Sequence, residues 1–171
     1  MEDSAKYLYT GTRDFIWSID PSNDELSKLF LHIRDFGEKL FEEKKINFRA
    51  HNELHSSVPV PYGFSREANL IFKEAMTNAF NHSGAKNVNF SLRKKEDHFE
   101  FTLTDDGAGF EVDSLERVSG LKNMRARAKR IQSTYSIESD ATKGGTTVRL
   151  LFQQLNQTKH GRRNKKKGLN H

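Results

Sequence analysis

Apolar side chains recur at helical spacing near the start of the chain. Leu8, Thr12, Phe15, Ile16 and Ile19 share one face, which predicts an amphipathic helix ending near residue 19. Pro21 stops it. Ser22 opens a second helix, and Glu25 three positions later completes a capping box. A stripe running from Leu26 through Ile33 to Phe41 carries this helix to about Lys44 and gives it a core-facing side. Ile46, Phe48 and Ala50 then alternate, as a strand requires. Val58-Pro59-Val60-Pro61 reads as an extended loop, because proline cannot donate to a ladder. A third helix is predicted from Ser65 to His82, closed by Ser83-Gly84.

Beyond it the period changes to two. Val88, Phe90 and Leu92 alternate, as do Phe99, Phe101 and Leu103, and the polar turn Lys94-Lys95-Glu96-Asp97 joins them into a hairpin. A glycine loop from Asp105 to Phe110 follows, then a helix from near Gly120 to Ser133. Tyr135, Ile137 and Ser139 predict a strand, Lys143-Gly144-Gly145 a turn, and Thr147 to Phe152 a last strand. After two leading helices the order is β-α-β-β-α-β-β. That order predicts an α+β fold: a two-layer α/β sandwich with helices on one face of a mixed, mostly antiparallel sheet.

Composition narrows the class. The chain has 171 residues, enough for one domain with short extensions, and its 13 Phe supply large core side chains. There is no cysteine, which excludes a disulfide framework and thiolate metal sites and suits a reducing, cytoplasmic setting. No apolar run approaches the ~20 residues of a membrane span, and no signal-peptide pattern opens the chain. The net charge of +5 would suggest a nucleic-acid partner, but its location argues otherwise. Asn156 to His171 holds Lys159, Arg162, Arg163, Lys165, Lys166 and Lys167 and no acid, so the body is near neutral. The tail is read as disordered, a solvated terminus with an electrostatic anchor as the alternative. No nucleic-acid partner is expected for the body.

Four stretches carry candidate chemistry. On the third helix, Glu74, Asn78 and Asn81 fall within an arc of about 60°, opposite the apolar Phe72, Ala75, Met76 and Ala79. An asparagine oxygen suits hydrated Mg²⁺ that also contacts phosphates, and a glutamate can accept a proton. An ordinary solvated helix face explains the same pattern. Asp105-Asp106-Gly107-Ala108-Gly109-Phe110 follows a strand, placing a carboxylate where it can accept from an amine and two glycines where backbone can approach a ligand. A plain Asp-Gly turn is the alternative, whereas a Rossmann loop is a poor match because its third glycine falls on Val112 and no helix starts directly there. Gly120-Leu121-Lys122-Asn123-Met124 opens a helix, whose free N–H groups favour phosphate. Gly144-Gly145-Thr146-Thr147-Val148 is a tight turn feeding a strand. His51 and His55 lack a third residue at metal spacing.

The ordered set resembles the N, G1, G2 and G3 boxes of the ATPase family that includes gyrase, Hsp90, MutL and histidine kinases. Glu74 to His82 looks like the N box, Asp105 to Phe110 like G1, Gly120 to Met124 like the end of G2, and Gly145 to Val148 like G3. The resemblance spans roughly Ile46 to Phe152 and implies a Bergerat-type ATP-binding fold. Ile16-Trp17-Ser18-Ile19-Asp20-Pro21 resembles the junction closing the dimerisation hairpin in the histidine-kinase subclass of nitrate sensors and of the membrane-fluidity thermosensor. The helix after Gly120 and the short link from Phe110 resemble the same subclass.

That resemblance implies Mg²⁺ and ATP as cofactors, with Asn78 as metal ligand and Glu74 as catalytic residue. Asp105 would take the adenine amine, Gly107 and Gly109 would shape the pocket, and Gly120, Leu121, Lys122 and Thr146 would close around the nucleotide, with Asn81 beside it. Asn81 stands where the family often has lysine, and Val118-Ser119 where G2 often has glycine. Nothing resembles the His-Asp motif of the acceptor helix. The expected organisation is a stub of dimerisation helix (1–20), an ATP-binding catalytic domain (21–155) and the basic tail (156–171). The expected partners are the phospho-acceptor dimerisation domain of the same kinase, a second copy in a homodimer, and a response regulator. A membrane-anchored full-length sensor fits this reading. A stand-alone serine kinase of the anti-sigma-factor type and a degenerate nucleotide-binding or docking module are the competing readings.

Overall fold

A computed structural model describes residues 2–112 and 119–153 of the chain. Helix α1 (Glu2–Ile19) leads into a short 3-10 turn at Pro21–Asn23 and helix α2 (Leu26–Glu42). Strand β1 (Asn47–Asn52), helix α3 (Phe64–Asn78), strands β2 (Asn87–Lys95) and β3 (His98–Asp105), helix α4 (Ser119–Arg130), and strands β4 (Thr134–Ser139) and β5 (Thr146–Phe152) follow. The start of α2 differs from the capping box. Asp20 caps the 3-10 turn by accepting from Ser22 N, and Glu25 is itself the N-cap, accepting from Ser27 N and Lys28 N. Proline at the first position of a 3-10 turn uses up the residues the box needed, so the helix begins one turn later.

The sheet order is β1-β2-β3-β5-β4. Only β1 and β2 pair in parallel, joined by the α3 crossover, and the other pairings are antiparallel. Alternation sorts the faces. In β2, Val88, Phe90 and Leu92 are buried while Asn87, Asn89 and Arg93 are exposed. The buried face carries α2, α3 and α4, giving the two-layer α+β sandwich that the element order predicts. Phe90 stacks on Phe30 of α2 at 5.1 Å and lies 5.2 Å from Phe72 of α3, which also meets Phe101. These rings join both layers at the centre of the core. Met124 and Ala128 of α4 are buried, and Arg127 binds Glu67 of α3 at 2.9 Å.

Helix α1 docks by its polar side. Asp14 binds Lys73 of α3 and accepts a hydrogen bond from His32 Nε2 of α2 at 2.9 Å, and Trp17 stacks on the His32 ring at 3.8 Å. Phe15, Ile16 and Ile19 stay exposed. The tail at 156–171 lies outside the described residues. None of the described helices is long and apolar enough to cross a membrane.

Candidate functional site

The helical run reaches His82 and is closed at Ser83-Gly84, but α3 changes type on the way. It ends at Asn78, and Ala79–Ser83 form a π turn closed by Gly84 in the left-handed region. The wider turn rotates less per residue and so sets back the phase of the helix. His82 and Ser83 therefore line a cavity together with Ala75, Asn78 and Ala79, while Asn81 is exposed and lies outside that lining. The cavity holds about 430 Å³ and sits between α3, the start of α4 and the ends of β3, β4 and β5.

Its floor follows from strand register. Leu103 of β3 pairs with Val148 of β5, which pairs with Ile137 of β4, and all three line the cavity. Two residues along each strand, on the same face, is a polar row: Asp105 beside Thr146 beside Ser139. Asp105 and Thr146 line the cavity as well, and Leu121 and Met124 cover it from α4.

The loop after β3 is held on three sides. Asp106 turns away from the cavity and accepts from Lys86 N and Asn87 N, both at 2.8 Å, and from the Asn87 amide at 2.7 Å. Those bonds from Asn87 and Lys86 hold the Asp106 carboxyl below its ordinary pKa. Ala108 N donates to Ser83 O at 2.8 Å, and Gly145 N donates to Gly107 O at 2.7 Å. The backbones approach so closely that a Cβ on Gly107 would sit 2.5 Å from Ser83 O. Gly109, at φ 69°, presses on the carbonyl of Asp140. Thus the two glycines of the loop are required by contact with the π turn and with the β4–β5 connection.

Asp105 is buried, at 7% exposure. Burial raises its pKa above the usual carboxylate value, with the charge of Asp106 adding to the rise and the bond from Gly107 N at 2.8 Å opposing it. A buried carboxylate facing an apolar cavity, with one bond from Gly107 N, retains capacity to accept from a ligand donor.

Glu74 occupies a different place. It lines a neighbouring cavity of about 270 Å³ with Asp14, Lys73 and Arg127, between α1, α3 and α4. Its Oε1 lies against Gly120, where a Cβ would overlap it. Met124 separates and lines both cavities. Lys122 is exposed and lines an outer groove with Leu121 and Arg125. The structure therefore brings Asn78, Asp105, Gly109, Leu121 and Thr146 together around one cavity, with Gly107 buttressing it, while Gly120 packs on Glu74. Val118 lies outside the described residues.

Residues 64–156 match the family described as histidine kinase-, DNA gyrase B- and HSP90-like ATPases. The chain belongs to this family. It is 33% identical to the sensor protein VraS of Staphylococcus aureus (strain COL), over 71% of this chain and 38% of that protein. The VraS of Staphylococcus epidermidis (strain ATCC 12228 / FDA PCI 1200) is 32% identical over the same shares. The chain thus spans 38% of the length of the curated relatives it matches. Among solved structures, the Acinetobacter baumannii histidine kinase AdeS superposes with a TM-score of 0.64, at 13% identity, over 90% of this chain and 82% of that one. The histidine kinase domain of the Erythrobacter litoralis EL346 blue-light activated kinase gives 0.62 at 18% identity, over 74% and 61%. These likenesses establish the shared fold of an ATPase domain whose relatives are sensor histidine kinases.

Seen as such an ATPase, the site contains residues that motif spacing did not single out. Ser83, Phe110 and Ile137 line the cavity, and Ser139 stands behind it. The alternation Tyr135-Ile137-Ser139 was the available signal for the last two, since it places Ile137 and Ser139 on one face.

Proposed function

We propose that this domain binds Mg·ATP and passes the γ-phosphoryl group to a histidine of a dimerisation domain, as the kinase half of a two-component system. The reading is carried by one observation. Four stretches far apart in sequence converge on one cavity, with an apolar floor, a buried carboxylate at one end and the Asn78 amide in its wall.

The residues fit such a ligand. The floor of Leu103, Val148 and Ile137 suits a flat base, and Asp105 suits its amino group. Among the described residues no group of three or more His, Cys, Asp or Glu converges. Mg²⁺ keeps waters and shares phosphate oxygens instead of filling an all-protein cage, so a single amide oxygen beside the phosphates is a suitable protein ligand. Asn78 is its ligand in this reading, and the ion would neutralise charge on the phosphates. The N-terminus of α4 at Gly120 supplies free N–H groups near the cavity rim, with Lys122 on the solvent side. Glu74, in the adjoining seam against docked α1, orients the proton of the accepting imidazole. The chemistry asks mainly for positioning and charge neutralisation. Placement in the cytoplasm, a homodimeric full-length sensor and a response regulator as downstream partner belong to the same proposal.

Calorimetry with ATP, with and without EDTA, tests the reading. Metal-dependent binding is expected, and no detectable heat at millimolar nucleotide overturns it. Asn78→Leu should abolish the metal dependence. Glu74→Gln should spare binding and slow phosphoryl transfer to a separately supplied dimerisation domain. Transfer at the wild-type rate removes Glu74 from the mechanism.

A further inference from the structure

The helical run that carries Asn78 is closed by an exposed lysine from another part of the chain. The last four carbonyls of a helix have no N–H further along the helix to bind. In the run that ends at Ser83 these include Phe80 O and Ser83 O. Lys44, in the turn between α2 and β1, donates from Nζ to Phe80 O at 2.6 Å. Its ammonium also lies 4.1 Å from the centre of the Phe80 ring, so one cation holds both the backbone and the side chain of that residue. Ser83 O accepts from Ala108 N at 2.8 Å, which ties the π turn to the loop after β3. Inside the turn, Ser83 Oγ donates to Ala79 O at 2.6 Å and accepts from Ala85 N at 3.0 Å.

The π form decides what the cavity meets. At 100° per residue, an unbroken α-helix would put Asn81 about 60° from Asn78, and Ser83 about 140° from it. In the structure the order is reversed. Ser83 lines the cavity with Asn78, and Asn81 lies outside it. π-helical turns are rare, so a segment of this kind needs something to hold it. The bond from Lys44 is charge-assisted, which makes it of the strong kind, and it places a cation at a helix C-terminus.

We propose that Lys44 is a positioning residue for the main cavity: by clamping Phe80 it keeps Ala79–Ser83 in the π form and so holds Ser83 O against Ala108 N. The clamp stands on the bonds just described, and its consequence for a ligand rests on the nucleotide reading above. Lys44 touches no ligand in this scheme, since it lies outside the cavity lining. Without it the turn relaxes toward a regular α-helix, which withdraws Ser83 from the cavity and releases Ala108. Gly107, packed against Ser83 O, then loses its stop. Asp105, which accepts from Gly107 N, loses its fixed partner.

The test compares the whole chain as wild type, Lys44→Met and Lys44→Arg. Methionine keeps most of the stem but removes donor and charge, whereas arginine keeps both. Lys44 is exposed, so neither change opens a void in the core. Amide hydrogen exchange followed by NMR reads the clamp without any ligand. In Lys44→Met the Ala108 amide should exchange about tenfold faster, one charge-assisted bond's worth of opening, while the central amides of β3 and β5 keep wild-type rates. Lys44→Arg should restore the protection of Ala108. Binding is then read by calorimetry with Mg·ADP and with adenosine. Both affinities should fall about threefold or more in Lys44→Met, because a ligand binds the fraction of chains with the turn in place, and both should return in Lys44→Arg. Unchanged Ala108 exchange overturns the proposal, and so do unchanged affinities for ligands that the wild type binds. A uniform rise in exchange across the sheet also overturns it, since Lys44 would then be a general stabiliser. A loss confined to Mg·ADP does the same, because the lysine would then act directly on phosphate charge. If Ala108 responds as expected and the wild type binds neither ligand, the clamp stands and the nucleotide reading of the cavity fails.

Discussion

Removing the Asp14 carboxylate should release α1 from the domain without unfolding the domain. The contact is compact. Asp14 binds Lys73 and, at 2.9 Å, His32, and these three side chains are 18%, 14% and 23% exposed. Fully exposed ion pairs contribute ~0–1 kcal/mol, and hydrogen bonds to charged groups about 1.5–3 kcal/mol. Partial burial puts this pair of bonds between those limits. Lys73 keeps one other partner after the change, because its ammonium lies 4.6 Å from the centre of the Phe36 ring. That offsets part of the cost of orphaning it. The net loss for Asp14→Ala is then about 2 kcal/mol, or ~30-fold in the docking equilibrium of α1.

The chain supplies its own reporter. Trp17 is the only tryptophan, and it stacks on His32 at 3.8 Å with its ring planes 10° apart. Undocking exposes it to water. Asp14→Ala should shift Trp17 emission to the red and increase its quenching by acrylamide, while the core transition followed by circular dichroism stays within a few degrees. Acid gives an independent check. Burial would raise the Asp14 pKa, but the hydrogen bonds from His32 and Lys73 outweigh it and hold it below the ordinary value. A lowered folded pKa means stability that is present above the unfolded pKa and lost as pH falls through the folded one. The wild-type emission should therefore hold down to about pH 4 and shift only below it, whereas Asp14→Ala should show no such step. Unchanged emission and quenching in Asp14→Ala at neutral pH would refute the reasoning. The Trp17–His32 stack and buried Ser18 would then suffice to hold the helix.

Gly107→Ala forces a Cβ to within 2.5 Å of Ser83 O, so the loop must move and lose its bonds to Ser83 and Gly145. At ~1 kcal/mol each the cost is about 2 kcal/mol, read as a fall of roughly 4–8 °C in Tm. Asp105→Asn should have opposite effects on stability and binding. Burial raises the Asp105 pKa, and a raised folded pKa gives stability that is present at low pH and lost as pH rises through it. The variant should accordingly melt higher than wild type at pH 7 but not at about pH 3, by differential scanning calorimetry. Its affinity for adenosine should drop roughly tenfold or more at pH 7. Wild-type affinity for adenosine, which has no phosphates to titrate, should fall on acidification through that raised pKa, while Asp105→Asn stays flat.

Where the sequence was informative about the sheet, a period had a purely local cause. Alternating Phe and Leu in β2 and β3 marked the buried face of the sheet because side-chain direction in a strand depends on nothing but position. Gly107 and Gly109 stood out in sequence, yet what requires them is contact with Ser83 and Asp140, residues distant along the chain. The third helix was the harder case. A uniform 100° step put Glu74, Asn78 and Asn81 on one face. In the fold α3 is flanked by helices on several sides, so that face is divided: Glu74 meets α1 and α4, Asn78 the main cavity, and Asn81 solvent. The π turn after Asn78 completes the change of phase, and no residue in Ala79–Ser83 announces it. The 3-10 turn at Pro21 was missed for a similar reason, since a box of suitable residues competes with a proline that fixes the backbone first.

Register ties the remaining pieces together. The floor of the cavity and its polar end are successive rows of one sheet face, apolar at Leu103–Val148–Ile137 and polar at Asp105–Thr146–Ser139. A slip of β5 by one residue would bring Thr147 and Arg149 to that face and place a guanidinium on the apolar floor. What prevents the slip is the connection between β4 and β5. Asp140 accepts from Thr142 N and Lys143 N, and Gly144 and Gly145 take φ of 77° and 85°. Gly145 is bonded both to Gly107 and to Ser139, so the turn that sets the register is itself gripped by the loop after β3. Side chains at Gly144 or Gly145 would strain that conformation and loosen register and site together. The glycines of the last turn are in this sense part of the specificity of the cavity, although they lie outside its lining.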